Sequence, residues 1–213
     1  MLVVSSFEVT ESGRRTQPWN KTENAIRDGQ YYDLRQNPEL IETSLEDFYP
    51  YSDQPAVQTF YSMLKWINSN DSCLESTDCL LSGEPIQNVR AKLFSCSHEI
   101  TGRFEFFIRE YELNTSKDTI GWVYDKLSLY LQIERPNFRK GSFRIAPLVT
   151  DYITPAGDKL KGYRFCIYFQ AYGNGIDDTW LSLNTAFNGL FETLKRLNFE
   201  MFSGRAEPLY KAI

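Results

Sequence analysis

The sequence predicts an α+β fold: a mainly antiparallel sheet with helices packed on one face, in the order ββα-ββα, preceded by an N-terminal helix and an irregular arm. Three observations carry this. From Ser76 onward the apolar period runs two, two and 3.6, and then repeats that order. Phe104, Phe106 and Ile108 alternate with Arg103, Glu105 and Arg109, the pattern of a strand with one face in the core and the other wet; Phe165, Ile167 and Phe169 alternate in the same way. Two consecutive strands followed by a helix also place neighbouring strands antiparallel and send the helices back over one face.

Taken in order, residues 1–38 read as an N-terminal arm or wrapping loop, and residues 39–213 as a single α+β domain. Ser12-Gly13, Gln17-Pro18, Asp28-Gly29 and Asn37-Pro38 break the arm, and no apolar period survives between them. A short helix is expected near 39–47. Pro50 and Pro55 then bracket a turn, with Pro55 in the first turn of a helix running to about residue 69. Ala56, Phe60, Met63, Leu64 and Ile67 line one face of that helix.

Strands are expected near 77–82, 100–112, 141–151 and 160–172, and helices near 118–134 and 177–198. Ile120, Val123, Tyr124, Leu127 and Leu131 form the stripe of the first of these helices, which Pro136 stops. Trp180, Leu183, Phe187, Leu190, Leu194 and Leu197 form the stripe of the second. Gly173-Asn174-Gly175 lacks the third glycine and the lysine of a phosphate loop, and Asp177 and Asp178 would repel a phosphate there. It reads as a strand-to-helix turn with acidic capping, and Asp118 plays the same part for the preceding helix. Gly102, Asn114, Asp118 and Thr119 recur 60 residues later, but the strand patterns align at 61, so the match does not establish a duplication.

Length and composition fit one well-filled domain: 213 residues, 24.8 kDa, 42% apolar, with 15 Phe, 13 Tyr and 4 Trp. Met1 to Thr10 has neither a basic n-region nor a long apolar h-region, and no stretch reaches the 18 apolar residues of a membrane span, so a cytoplasmic protein without membrane attachment is expected. Four cysteines are too few for a disulfide framework and lack zinc-site spacing, so neither metal nor cofactor is expected.

Charge is the most informative feature. Residues 36–89 hold nine acids and one base, a net of −8, while the remaining 19 acids and 22 bases leave +3. Such a field speeds association with a basic protein partner and disfavours nucleic acid. Inside the block, Glu46-Asp47-Phe48-Tyr49-Pro50-Tyr51-Ser52-Asp53 interleaves rigid aromatics with carboxylates, as interaction hot spots do. The residues expected to bind a partner are therefore Glu42, Glu46, Asp47, Phe48, Tyr49, Tyr51 and Asp53. The function expected is a non-enzymatic protein-binding module: an inhibitor or immunity (antitoxin-like) protein that occludes the basic cleft of a toxin such as a nuclease.

The alternative is a cysteine-dependent hydrolase or deamidase using Cys96 and His98, since a thiol needs a base nearby to become a nucleophile. A modestly basic stretch, Tyr124 to Arg144, interleaves Tyr124, Tyr130, Phe138 and Phe143 with Lys126, Arg135, Arg139, Lys140 and Arg144, a weaker pattern for holding single-stranded nucleic acid or an anionic ligand by stacking and phosphate contact. Homo-oligomerisation is left open.

Overall fold

The computed structural model describes residues 2–5, 16–17, 34–35, 37–88, 95–153 and 159–203. In chain order the elements are β1 (Leu2–Ser5), β2 (Thr16–Gln17), a 3₁₀ turn (Pro38–Leu40), α1 (Ile41–Ser44), a second 3₁₀ turn (Tyr49–Tyr51), α2 (Pro55–Ile67), β3 (Leu74–Leu81), β4 (Ile86–Gln87), β5 (His98–Ile108), α3 (Tyr111–Thr115), α4 (Lys117–Glu134), β6 (Gly141–Ile153), β7 (Lys159–Gly173) and α5 (Ile176–Ser203). The expected ββα-ββα order is present as β3–β5–α4 and β6–β7–α5. Of the irregular stretch expected from 9 to 38, residues 16–17, 34–35 and 37–38 are described, and the rest lies outside the described residues.

The sheet order is β1-β6-β7-β5-β3. From β6 to β3 every pairing is antiparallel, while β1 and β2 lie in series along the outer edge of β6 and run parallel to it. Those two short strands pair with residues 142–145 and 151–152 of β6. Pro147 falls between them, where its missing N–H costs no ladder bond to either. On the other edge β3 and β4 lie in series along β5, with a bulge between Ser76 and Asp78.

Three helices form the second layer. α5 lies in the middle and packs on the sheet, with α2 and α4 on its flanks. Thr59 bonds Asn184 at 2.8 Å, the Trp66 and Phe191 ring centres are 5.6 Å apart, and Asn198 receives the Cys73 N–H at 2.8 Å, so α2 and α5 run parallel. Lys126–Glu200 at 3.0 Å and Arg196–Glu134 at 3.8 Å show that α4 and α5 run antiparallel. Between the layers Phe60, Phe104, Phe106, Phe165, Phe169 and Phe187 form a continuous aromatic core, with the Phe169–Phe187 centres at 4.8 Å and Phe60–Phe187 at 5.0 Å. Alternation along the strands delivers these rings to one face, where they exclude water from the sheet.

Several elements end where non-local bonding ends them. The strand expected over 100–112 stops at Ile108, because Tyr111–Thr115 turns into α3. Asn114 of α3 is buried and exchanges two 2.7 Å bonds with the Tyr163 backbone, standing in for a strand neighbour. The helix expected over 39–47 is a 3₁₀ turn followed by the four residues of α1. At the start of α4 the cap is Ser116, whose Oγ accepts the Thr119 N–H at 3.3 Å, and not Asp118. The turn before α5 is as expected: a Cβ on Gly173 would meet Thr179 N at 2.3 Å, and Gly175 has φ +100. Asp178 accepts the Asn174 N–H at 2.7 Å and the Lys140 ammonium at 2.7 Å.

Candidate functional site

The acidic segment meets the sheet at its β3 edge, held by alternate aromatic side chains. Phe48 is fully buried and stacks on Phe60 at 4.5 Å with the rings nearly parallel. Tyr51 is half-buried, its ring centre 5.4 Å from Trp180 at the start of α5. Tyr49, between them, turns outward with 59% of its surface exposed. Phe48 is therefore corrected from a partner anchor to a core residue: the 3₁₀ turn that begins at Tyr49 sends neighbouring side chains in different directions.

Glu46, Asp47 and Asp53, neighbours of Tyr49 along the segment, are also exposed to solvent. Burial pushes the Asp47 carboxyl above its ordinary value, and the charges of Glu46 and Asp78 add to this; Arg103 and the Leu81 N–H act in the opposite direction. That last bond caps an otherwise open N–H of the edge strand. Glu84 is exposed on the adjoining turn, where Gly83 approaches Tyr51.

The block of nine acids is partly neutralised. Glu42 pairs with Lys65, Glu75 with Arg109 at 3.3 Å, and Asp78 with Arg103 at 2.7 Å. Arg109 also donates to the carbonyls of Ser69 and Ser72 at 2.8 Å and of Ile67 at 3.0 Å, closing the end of α2 onto β5. Of the six acids that remain, Glu46, Asp47, Asp53 and Glu84 lie on this segment and the adjoining turn, and Glu39 and Asp71 are exposed outside it. Of the residues expected to bind a partner, Glu46, Asp47, Tyr49 and Asp53 share this exposed surface, Glu42 is engaged by Lys65, and Phe48 and Tyr51 hold the segment in place.

Cys96 and His98 lie at the corner where β5 begins. Cys96 is 2% exposed, and its carbonyl accepts a bond from Asn88 at 3.2 Å. His98 is half-buried, with Nδ1 2.9 Å from Ser97 Oγ; that hydroxyl also accepts the Gly175 N–H at 3.2 Å. Ser97 N–H donates to Asn174 at 3.3 Å. The corner ties β5 to the β7–α5 turn. All four cysteines are free thiols, and burial drives those of Cys79 and Cys166 upward, the latter to about 12. Among the described residues no group of three or more His, Cys, Asp or Glu side chains could hold a metal ion.

In the basic stretch, Tyr124, Tyr130 and Phe143 are buried, Lys126 pairs with Glu200 and Lys140 with Asp178. Three of the four aromatics that would stack on bases are thus inside the fold, and Phe138 is half-buried against the core.

The sheet face away from the helices holds charges that the alternation placed in water. Glu105 and Arg164 pair at 2.9 Å with side chains 5% and 2% exposed, in adjacent strands. Arg103 donates twice to Asp78, at 3.1 and 2.7 Å. The centre of this face is therefore closed, which corrects the wet-face expectation: a buried charge persists here because its counter-charge arrives on a neighbouring strand. The alternating charges were the available signal, and only strand register shows which of them meet.

No helix among the described residues is long and apolar enough to cross a membrane. No protein-family model, curated protein or solved structure matches the chain.

Proposed function

We propose that this chain is a non-enzymatic protein-binding module whose acidic edge, built on Glu46, Asp47, Tyr49 and Asp53, docks on a basic protein. Within that class the reading is an inhibitor or immunity (antitoxin-like) protein that occludes the basic cleft of a toxin such as a nuclease. The observation that carries it is the outward Tyr49 among exposed carboxylates, on a segment locked by Phe48 against Phe60 and by Tyr51 against Trp180. A segment already ordered loses little entropy on binding, and a lone exposed tyrosine can fill a pocket while the carboxylates replace substrate phosphates.

The test is affinity capture from source lysate with the natural chain beside the Glu46→Lys/Asp47→Lys variant, at low and at ~0.5 M salt, where charge attraction reaches only a few Å. A single basic protein, retained by the natural chain at low salt and lost from the variant, is expected. Equal retention by both would overturn the reading.

A further inference from the structure

We propose that the outer face of the α4–α5 pair is the interface of a two-fold dimer of this chain. On that face Leu129 and Ile133 of α4 are 49% and 46% exposed, and Phe199 near the end of α5 is 69% exposed. The ion pairs Lys126–Glu200 and Arg196–Glu134 hold the two antiparallel helices level there, so Leu129, Ile133 and Phe199 lie side by side. Trp122, one heptad back from Leu129, is half-buried under the Lys126 ammonium and packs against the core. Leu129 and Ile133 are not needed by the core, which α4 already meets through Ile120, Val123, Leu127 and Leu131.

Two features point to a second copy as the occupant. First, size: the three exposed side chains present roughly 350 Å² of apolar surface, a patch of the size that is often functional, against a standard interface of about 800 Å² per partner with somewhat more than half of it apolar. Second, charge: Lys126–Glu200, Arg196–Glu134 and Lys195–Glu192 pair acids with bases on and beside the patch, so it carries both signs. A two-fold interface must be complementary to itself, which a mixed-sign rim satisfies and a single-sign rim does not. The interface lies at the far end of α5 from Tyr51 and Trp180: residues 180 and 199 are about 28 Å apart along the helix axis, so the acidic edge stays open in the dimer.

Sedimentation velocity of the full chain from ~1 to ~100 µM tests this independently of any partner. The expected result is a species of twice the 24.8 kDa chain mass, restored to 24.8 kDa in Leu129→Lys and in Phe199→Glu with unchanged far-ultraviolet circular dichroism, and kept in Glu46→Lys/Asp47→Lys. Both disrupting substitutions fall on exposed positions, so folding is preserved. A 24.8 kDa species at every concentration, or a dimer indifferent to both substitutions, would overturn the proposal. If the natural chain is monomeric and Leu209→Glu/Tyr210→Glu makes it dimerise, the face is covered by residues 204–213; if both are monomeric, it belongs to a different protein.

Discussion

Both ends of α5 expose apolar side chains, Leu181 at one and Phe199 at the other, but the surfaces beside them differ in charge. Near Trp180 the neighbouring segment shows solvent a row of carboxylates and one tyrosine, its other aromatics turned inward. Near Phe199 the α4–α5 pair shows solvent Leu129, Ile133 and Phe199, with acids and bases paired around them. Each end is pinned by one lysine–carboxylate pair, Lys140–Asp178 at 2.7 Å and Lys126–Glu200 at 3.0 Å. The lesson is that hydrophobicity alone does not separate core from interface. Phe48 and Phe199 are the same residue type; one is wholly enclosed and the other is the most exposed large apolar side chain described.

The largest effect expected is at Phe48. Phe48→Ala leaves a cavity against Phe60 and should cost about 3–5 kcal/mol of unfolding free energy, read by urea melts, and should loosen the acidic segment with it. Its neighbour behaves in the opposite way: Tyr49→Ala should change stability by less than about 0.5 kcal/mol while weakening the partner by about 2 kcal/mol, chiefly through a faster off-rate. If Tyr49→Ala unfolds the chain and Phe48→Ala does not, the inside–outside division of the segment is wrong.

Next come the two lysine–carboxylate pairs. Lys140, with the Asn174 N–H, holds the Asp178 carboxyl below its ordinary value. Glu200 is also held below its ordinary value: burial pushes it up, but Tyr130 and Lys126 outweigh this. For each, the lowered folded value means stability fully present above the ordinary carboxylate range and lost as pH falls through the folded one. Asp178→Asn and Glu200→Gln should each cost about 1 kcal/mol at neutral pH, with the cost disappearing in acid; a cost independent of pH would assign these groups a packing role instead.

Asp47 has the reverse sign. Its carboxyl is raised, so ionised Asp47 opposes the fold: its favourable contribution is present below the ordinary value and lost as pH rises through the raised one. Asp47→Asn should raise the melting temperature slightly at pH 7 and leave it unchanged in acid. The smallest expected change is at Cys96, which at 2% exposure should alkylate at neutral pH only as the fold opens. Fast modification by dilute reagent would favour the thiol enzyme over the binding module.

The long elements could be read along the chain because their periods are local: Phe104-x-Phe106 and the Trp180-to-Leu197 stripe each carry their own signal. What could not be read depends on partners far away in sequence. Phe48 goes inward because Phe60 is there to receive it, and Tyr51 leans on a tryptophan 129 positions later. Tyr111-Glu112-Leu113 alternates like a strand, yet Asn114 finds the Tyr163 backbone and the chain turns into α3. Glu105 and Arg164 look solvent-facing until β5 and β7 lie in register. The acidic edge was visible as a charge imbalance; which of its aromatics faces outward was not.

The most direct measurement is the association rate of a captured basic partner with the natural chain and with Glu46→Lys/Asp47→Lys, at ~0.05 and ~0.5 M salt. An acidic docking edge requires fast association at low salt, at least tenfold slower at high salt, and in the variant slow association at both. Rates that ignore both salt and charge reversal would contradict it, and the acidic edge would then be no more than a solvated surface.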